Sequence, residues 1–113
     1  MKNAITIACL LSSLTFASCG TVRKSEPIAG PFVPANAKIA HGREVYMQNC
    51  QKCHPNGEVG LGPALNNKPL PEFLMKFQVR NGLGMMPSFS REEISSDDLD
   101  DLMEYVKALR RHG

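Results

Sequence analysis

The sequence predicts a small all-α domain with about three main helices. Three stretches place apolar residues at three- and four-residue steps, the period of a helix that packs one face on a core. The segments between them are rich in Gly, Pro and Asn, and no clear strand run is present. With 113 residues, the chain is expected to form one folded domain.

The first helix is expected to run from about Ala37 to Cys53. Pro55 disfavours the α conformation at His54, so the helix should end at or near that residue. Gly42 costs this helix about 1 kcal/mol relative to alanine, which indicates either a close helix crossing or a chance weak position. The periodic positions are Ile39, Gly42, Tyr46 and Cys50.

The second helix is expected to open at 69–72 and to end at Gly82, and the third to begin near Ser95 or Ser96. Aspartates crowd the first turns of the third helix and basic residues its last turns, which matches the helix dipole. An acidic docking patch is the alternative interpretation of the aspartates. The apolar face of the second helix is predicted to be Leu70, Phe73, Leu74 and Phe77, and that of the third Leu99, Leu102, Met103, Val106 and Leu109, with Tyr105 on its flank.

The first 18 residues are typical of an export signal. Lys2 precedes a near-continuous apolar run over 4–14, which is shorter than the roughly 20 residues that span a bilayer. Phe16-Ala17-Ser18 before Cys19 resembles a lipobox, so we expect a lipoprotein signal peptide over 1–18, cleaved before a lipidated Cys19. Ordinary cleavage to a soluble protein is the alternative.

Residues 19–36 are rich in proline and glycine and predict a flexible linker between the lipid and the domain, which spans 37–112. A packed arm that uses Phe32 and Val33 is the alternative. Charge is uninformative about partners: without Lys2 the 13 basic residues fall to 12, against 11 acidic ones. No basic footprint for nucleic acid is present.

Cys50-Gln51-Lys52-Cys53-His54 is the motif on which the rest of the chain is organised. Two cysteines three apart, followed directly by histidine, are the signature for covalent attachment of one c-type haem. On one helix face, both thiols can add to the vinyl groups of one porphyrin while His54 serves as proximal ligand.

Two other kinds of site use similar residues. A redox dithiol is expected beside a βαβ pattern, which this sequence lacks. A zinc site would need a second ligand pair; His41, Cys50, Cys53 and His54 supply four nominal ligands, but the last two are chain neighbours and would hardly share one tetrahedral ion.

Residues 37–112 resemble the class I cytochromes c, specifically the small single-haem bacterial members. The resemblance rests on short strings that occur in the family's order. They are Gly42-x-x-Val45-Tyr46, Cys50-x-x-Cys53-His54, Gly60-x-Gly62-Pro63-Ala64-Leu65, Met86-Pro87-x-Phe89 and Leu102-x-x-Tyr105-Val106. Pro55, directly after the histidine, departs from most members.

The resemblance implies a cytochrome c-like bundle wrapped around one covalently bound haem. It implies that Gly42 meets the Tyr105 region and that the Pro63 carbonyl accepts a hydrogen bond from His54 Nδ1–H. Leu65 and Phe89 would pack on the haem. The family pattern places the sixth iron ligand directly before proline, which is Met86; Met85 is the rival, with core filling as its other explanation.

The resulting expectation is an electron-transfer protein, not an enzyme, that cycles Fe(III)/Fe(II) between unknown extracytoplasmic redox partners and is tethered to a membrane. One alternative is the haem subunit of a larger oxidoreductase. Another is a gas-binding sensor with a displaceable sixth ligand. Lys52, Lys68, Lys76 and Arg80 either steer an acidic partner or form solvated helix faces.

We predict that replacing Cys50 and Cys53 by alanine leaves a largely unfolded chain. The domain lies near the size at which side chains alone give only a few kcal/mol of stability, and aromatic residues make up 6% of the sequence. Far-UV circular dichroism with thermal melting measures the outcome, and a fully helical, cooperatively melting variant would contradict the prediction.

Overall fold

The computed structural model describes residues 29–68 and 70–112, and within them the chain is all-α as predicted. The α-helices are α1 (Ala37–Asn49), α2 (Glu72–Asn81) and α3 (Ser96–His112), with a short 3-10 helix at Pro55–Gly57. The only β pairing in these ranges is one isolated bridge. None of these helices is both long and apolar enough for a bilayer crossing. The predicted signal segment, Cys19 and the linker up to residue 28 lie outside the described residues.

Helix α1 begins where the sequence predicts and ends earlier. The Asn36 side chain accepts a hydrogen bond from Ile39 N at 3.0 Å and caps the helix. The regular helix ends at Asn49, and a turn continues through Cys53. His54 has φ −127° and ψ 68°, outside the α region, as the following proline requires. The prediction of a helix to Cys53 was therefore too long, because the last turn tightens before the proline.

Helices α1 and α3 form the main packed pair. Gly42 is buried, and a Cβ at this position would overlap the carbonyl oxygen of Asp101 on α3. The close crossing expected at Gly42 is present, although it faces Asp101 and Leu102 rather than Tyr105. Tyr105 instead contacts Tyr46, with ring centroids 5.0 Å apart.

Helix α3 supplies most of the core. Ser95 Oγ accepts a hydrogen bond from Asp98 N at 3.1 Å, and the Asp98 carboxylate accepts one from Ser95 N at 3.4 Å, which caps the first turn reciprocally. The predicted buried stripe is confirmed, and Tyr105 is buried with it instead of lying on the flank. The buried residues of α3 are Leu99, Leu102, Met103, Tyr105, Val106, Ala108 and Leu109.

Helix α2 packs with a different face from the predicted one. Its buried residues are Met75 and Val79, whereas Phe73 is 69% exposed and Phe77 is 62% exposed. Apolar residues occur on two sides of this helix, and periodicity alone does not tell which side meets α3. The predicted apolar face of Leu70, Phe73, Leu74 and Phe77 coincides with the packed surface only at Leu70, which is half-buried against the core, and it was wrong for the other three, which are exposed.

The end of the predicted linker packs on the domain. The Phe32 ring lies edge-on to Tyr105, with centroids 5.2 Å apart, and to His112, with centroids 5.3 Å apart. His112 also hydrogen-bonds the carbonyl oxygen of Gly30 through Nε2 at 3.1 Å. The flexible linker to residue 36 was thus wrong around Phe32, because an aromatic ring gains more from covering Tyr105 than from solvent. Val33 stays exposed.

Gly42→Ala is predicted to destabilise the protein. In an open helix position this change stabilises by about 1 kcal/mol, but here the new methyl group meets main-chain atoms of α3 and forces the helices apart. We expect a loss of about 1–3 kcal/mol, typical of overpacking. Denaturant unfolding measures it, with Met47→Ala on the exposed side of α1 as control. A more stable Gly42→Ala variant would contradict the close crossing.

His41 links α1 to α3 in a pH-dependent way. Its Nδ1 lies 2.9 Å from an Asp101 carboxylate oxygen and its Nε2 lies 3.4 Å from one of Asp98. The hydrogen bond to Asp101 and the negative charges of Asp98, Asp101 and Glu44 raise the pKa of His41 above 6.5, against a smaller opposing effect of burial.

Since protonated His41 is favoured in the folded state, its contribution to stability is complete below the unfolded pKa of about 6.5 and is lost as the pH rises through the folded pKa. We expect His41→Gln to remove that part of the pH dependence. Thermal melts of both proteins at about pH 5.5 and about pH 8.5 measure it; equal melting-temperature differences in both proteins would contradict the prediction.

Candidate functional site

The two motif cysteines lie on a single turn that follows α1. Cys53 N and His54 N donate to Cys50 O at 3.1 and 2.9 Å, so the turn holds all three motif residues together. Both cysteines are half-buried free thiols. Burial, and secondarily the neighbouring Cys53, raises the pKa of Cys50 to about 12. A reactive redox thiol needs a lowered pKa, so Cys50 is poorly suited to that chemistry.

His54 is buried and held in one tautomer. Its Nδ1–H donates to the carbonyl oxygen of Pro63 at 2.8 Å, the contact that the resemblance implied. With the proton on Nδ1, the lone pair of Nε2 is left for a metal. The imidazole is therefore prepared as a ligand by the loop that follows it.

The loop over 57–66 closes on the imidazole through glycine. A Cβ on Gly62 would overlap the His54 ring, with Nδ1 and Nε2 each 2.8 Å away. Gly62 N donates to Cys53 O at 2.9 Å, which fixes the loop to the motif turn. The ring thus lies directly against main chain, and no larger residue than glycine fits there without displacing it.

Tyr46 connects the site to the core, a role that the sequence analysis missed. Its side chain is fully buried, its hydroxyl donates to the carbonyl oxygen of His54, and it accepts from Gly57 N at 3.0 Å. Burial raises the pKa of Tyr46, so the hydroxyl stays protonated and keeps donating. The available signal was that a buried tyrosine hydroxyl normally has a hydrogen-bond partner.

The structure separates the two candidate methionines. Met86 is half-buried and packs against the hydrophobic core, whereas Met85 is 91% exposed. Core filling is therefore excluded as the explanation of Met85. Met86 is held in a tight turn, where its N donates to Leu83 O at 3.0 Å and its O accepts from Leu83 N at 3.1 Å.

Three predicted site residues, and Leu70, which was not predicted there, share the half-buried position of Met86. Each is an apolar side chain that is half-buried at the edge of the core cluster, as the cofactor-facing side of a domain would be. They are Cys50, Leu65, Leu70 and Phe89. Two thiols, an oriented imidazole, a thioether and this apolar edge together fit a covalently attached haem.

Two arginines fix the loops on either side of these residues, and the sequence analysis missed both roles. Arg110 donates to the carbonyl oxygens of Leu65 and Leu70 at 3.2 and 3.1 Å. Arg80 donates to main-chain oxygens of the segment after Met86, at distances of 2.7–3.3 Å.

Two of the four cations considered for partner steering have internal contacts. Arg80 binds the loop carbonyls described above. Lys76 pairs with Glu72 at 2.6 Å and with Asp100 at 2.7 Å. Of the four cations, Lys52 and Lys68 therefore remain as candidates for steering an acidic partner.

The zinc alternative finds no support in the geometry. His41 is paired with aspartates of α3, away from the cysteine turn. Within 29–68 and 70–112, no group of three or more His, Cys, Asp or Glu side chains lies close enough to hold a metal ion.

Comparison with known proteins gives a consistent set of matches. The family model described as "Cytochrome C oxidase, cbb3-type, subunit III" matches residues 37–106. The "4-cresol dehydrogenase [hydroxylating] cytochrome c subunit" of Pseudomonas putida is 31% identical over 107 residues, which is 85% of this chain and 94% of that protein. Cytochrome c6 of Cyanidioschyzon merolae is 33% identical over 93 residues, 68% of this chain and 80% of the relative. No solved structure gives a significant match.

Tyr46→Phe is predicted to destabilise the fold around His54. The change removes the hydroxyl partner of the His54 carbonyl and of the Gly57 N–H, although these two groups still bond each other at 3.1 Å. We therefore expect a loss of about 0.5–1.5 kcal/mol, the net contribution of a hydrogen bond. Denaturant unfolding measures it. Tyr105→Phe is the matched control, because the Tyr105 hydroxyl interacts with Arg43 and not with the loop. Equal small effects in both variants would contradict the role given to the Tyr46 hydroxyl.

Proposed function

The chain belongs to the class I c-type cytochrome family, and we propose on that basis that it carries single electrons between redox partners outside the cytoplasm. It binds one haem c, attached covalently through Cys50 and Cys53. Haem supplies one-electron chemistry between Fe(III) and Fe(II). The protein's part is to hold the ligands in place and to keep water away from the site.

The observation that carries this proposal is the fixed imidazole of His54. We propose His54 as proximal ligand: its Nδ1–H is bound to Pro63 O at 2.8 Å, its carbonyl to the Tyr46 hydroxyl, and its ring packs on Gly62. A ligand held from three sides moves little between oxidation states, which favours rapid one-electron exchange. The bond to Pro63 also fixes the orientation of the ring.

Met86 is the proposed sixth ligand. Its half-buried position, its turn with Leu83 and the rigid Pro87 after it support this role over the exposed Met85. A thioether favours the ferrous state and raises the reduction potential. Leu65 and Phe89 are proposed to pack on the haem and to limit solvent access.

If His54 and Met86 both hold the iron, the haem would have no free ligand position for a substrate. We therefore propose that the protein catalyses no transformation by itself. Its reaction is the gain of one electron from a donor and the loss of that electron to an acceptor, with no bond made or broken.

We further propose an extracytoplasmic domain at 37–112 tethered through a lipid on Cys19. The export-type segment at 1–18 and the lipobox-like Phe16-Ala17-Ser18 support this. Attachment of haem to a Cys-x-x-Cys-His motif outside the cytoplasm, as in the family's bacterial members, agrees with export. Metabolic labelling with a fatty acid, with Cys19→Ser as control, tests the lipid.

A second candidate is the haem subunit of a larger oxidoreductase, with electrons passed inside the complex. The match over most of its length to a protein named as a dehydrogenase's cytochrome c subunit favours it. Purification from membranes separates the two: a stoichiometric partner indicates a subunit, and a protein recovered alone indicates a separate carrier.

The ligation is tested by the visible spectrum of the protein expressed with haem-attachment machinery. We predict a low-spin spectrum with the ferric sulfur-to-iron charge-transfer band, abolished in Met86→Ala and kept in Met85→Ala. The reason is that only Met86 is held at the core edge. A wild-type protein without that band would contradict Met86 ligation, and one without covalent haem would contradict the proposed function.

A further inference from the structure

We propose that Arg80 is a positioning residue for Met86: its guanidinium group locks the segment that follows the methionine and so keeps the thioether from being displaced. This inference rests on the proposed function, in which Met86 is a ligand. It adds a residue from α2 whose side-chain hydrogen bonds, among the residues that the structure describes, end on the segment after Met86.

The Arg80 side chain hydrogen-bonds four main-chain carbonyl oxygens. Nη1 donates to the carbonyl oxygens of Phe89, Ser90 and Ile94 at 3.2, 2.9 and 2.7 Å. Nη2 donates to Ser95 O at 3.3 Å. Within the described ranges, all four of these side-chain bonds end on main-chain oxygens, and the side chain is half-buried. The positive charge of the guanidinium group therefore interacts with carbonyl dipoles.

The segment that Arg80 binds contains a tight turn. Residues 90–94 form a turn in which Ser90 N donates to a Glu93 carboxylate oxygen at 2.8 Å, and Ser90 Oγ accepts from Glu93 N at 3.3 Å. Ile94 is fully buried in the core. Arg80 binds carbonyls on both sides of this turn, so it ties the exit of the methionine loop to the start of α3.

The segment that Arg80 binds begins only three residues after Met86, at Phe89. Upstream, Met86 is paired with Leu83; downstream, Phe89 N donates to Val79 O at 2.8 Å, and Arg80 binds the oxygen of the same Phe89. Only Pro87 and Ser88 lie between Met86 and this anchor, and proline has a fixed φ. Any movement of Phe89 that follows the loss of its bond to Arg80 would therefore also displace Met86.

Arginine is suited to this role in a way that lysine is not. Its planar guanidinium offers five N–H donors in a rigid fork, whereas lysine presents one compact charge on a flexible stem. A lysine at position 80 could retain one or two of the carbonyl contacts. It could not span both sides of the turn with the same geometry.

The test is the rate at which exogenous imidazole replaces the methionine ligand in the ferric holoprotein, followed by loss of the sulfur-to-iron charge-transfer band. We expect Arg80→Gln to raise this rate at least ~10-fold, equivalent to about 1.4 kcal/mol, and Arg80→Lys to give an intermediate value. Arg91→Gln is the matched control, because Arg91 is an exposed arginine on the same turn.

A general loss of stability is distinguished by Val106→Ala, which removes a buried side chain of α3 from the core. Its imidazole rate should stay within about two-fold of wild type in conditions where the protein is fully folded. An Arg80→Gln rate equal to that of Arg91→Gln, or no greater than that of Val106→Ala, overturns the proposal.

If Arg80→Gln does not fold, the comparison of Arg80→Lys with wild type decides: an unchanged rate overturns the proposal and a raised one supports it. The wild-type spectrum separates this inference from the function on which it rests. A wild-type protein lacking the band means that Met86 ligation has failed. A wild-type band with an unaffected Arg80 variant means that only the role of Arg80 has failed.

Discussion

The geometry of the site depends on the hydrogen bonds of the Tyr46 hydroxyl. Tyr46 joins the packed helix pair to the histidine, because its ring lies in the core beside Tyr105 while its oxygen binds His54 O and Gly57 N. The crossing of α1 and α3 at Gly42 sets where that ring can sit. Helix packing about one turn away from Tyr46 thereby orients His54, the proposed proximal ligand.

The loops around the site have little regular structure, and single side chains fix them to the helices. Arg110 of α3 holds the segment that follows Pro63, and Arg80 of α2 holds the segment that follows Met86. Each arginine satisfies main-chain oxygens that a loop cannot pair by itself. The domain thus combines a rigid helix pair with two separately anchored loops, one for each proposed axial ligand.

The parts of this arrangement that the sequence predicted are those with a local cause. The motif spacing, Pro55 after His54, the Ser95 cap and the single-sided stripe of α3 each follow from residues close together in the chain. The packed face of α2 was missed because its apolar residues occupy two sides. The packing of Phe32 was only the alternative to a flexible linker, and the role of Arg80 was missed, because each depends on a partner that only the tertiary fold brings near.

We propose that His54 and Met86 together leave the haem iron without a free ligand position, which would make this chain an electron carrier instead of a catalyst or a gas sensor. The most direct test is to add carbon monoxide to the reduced holoprotein without denaturant and to record its Soret band. We predict an unchanged spectrum, because Met86 stays bound. Rapid formation of a carbon monoxide complex would contradict it and would identify an open or displaceable site.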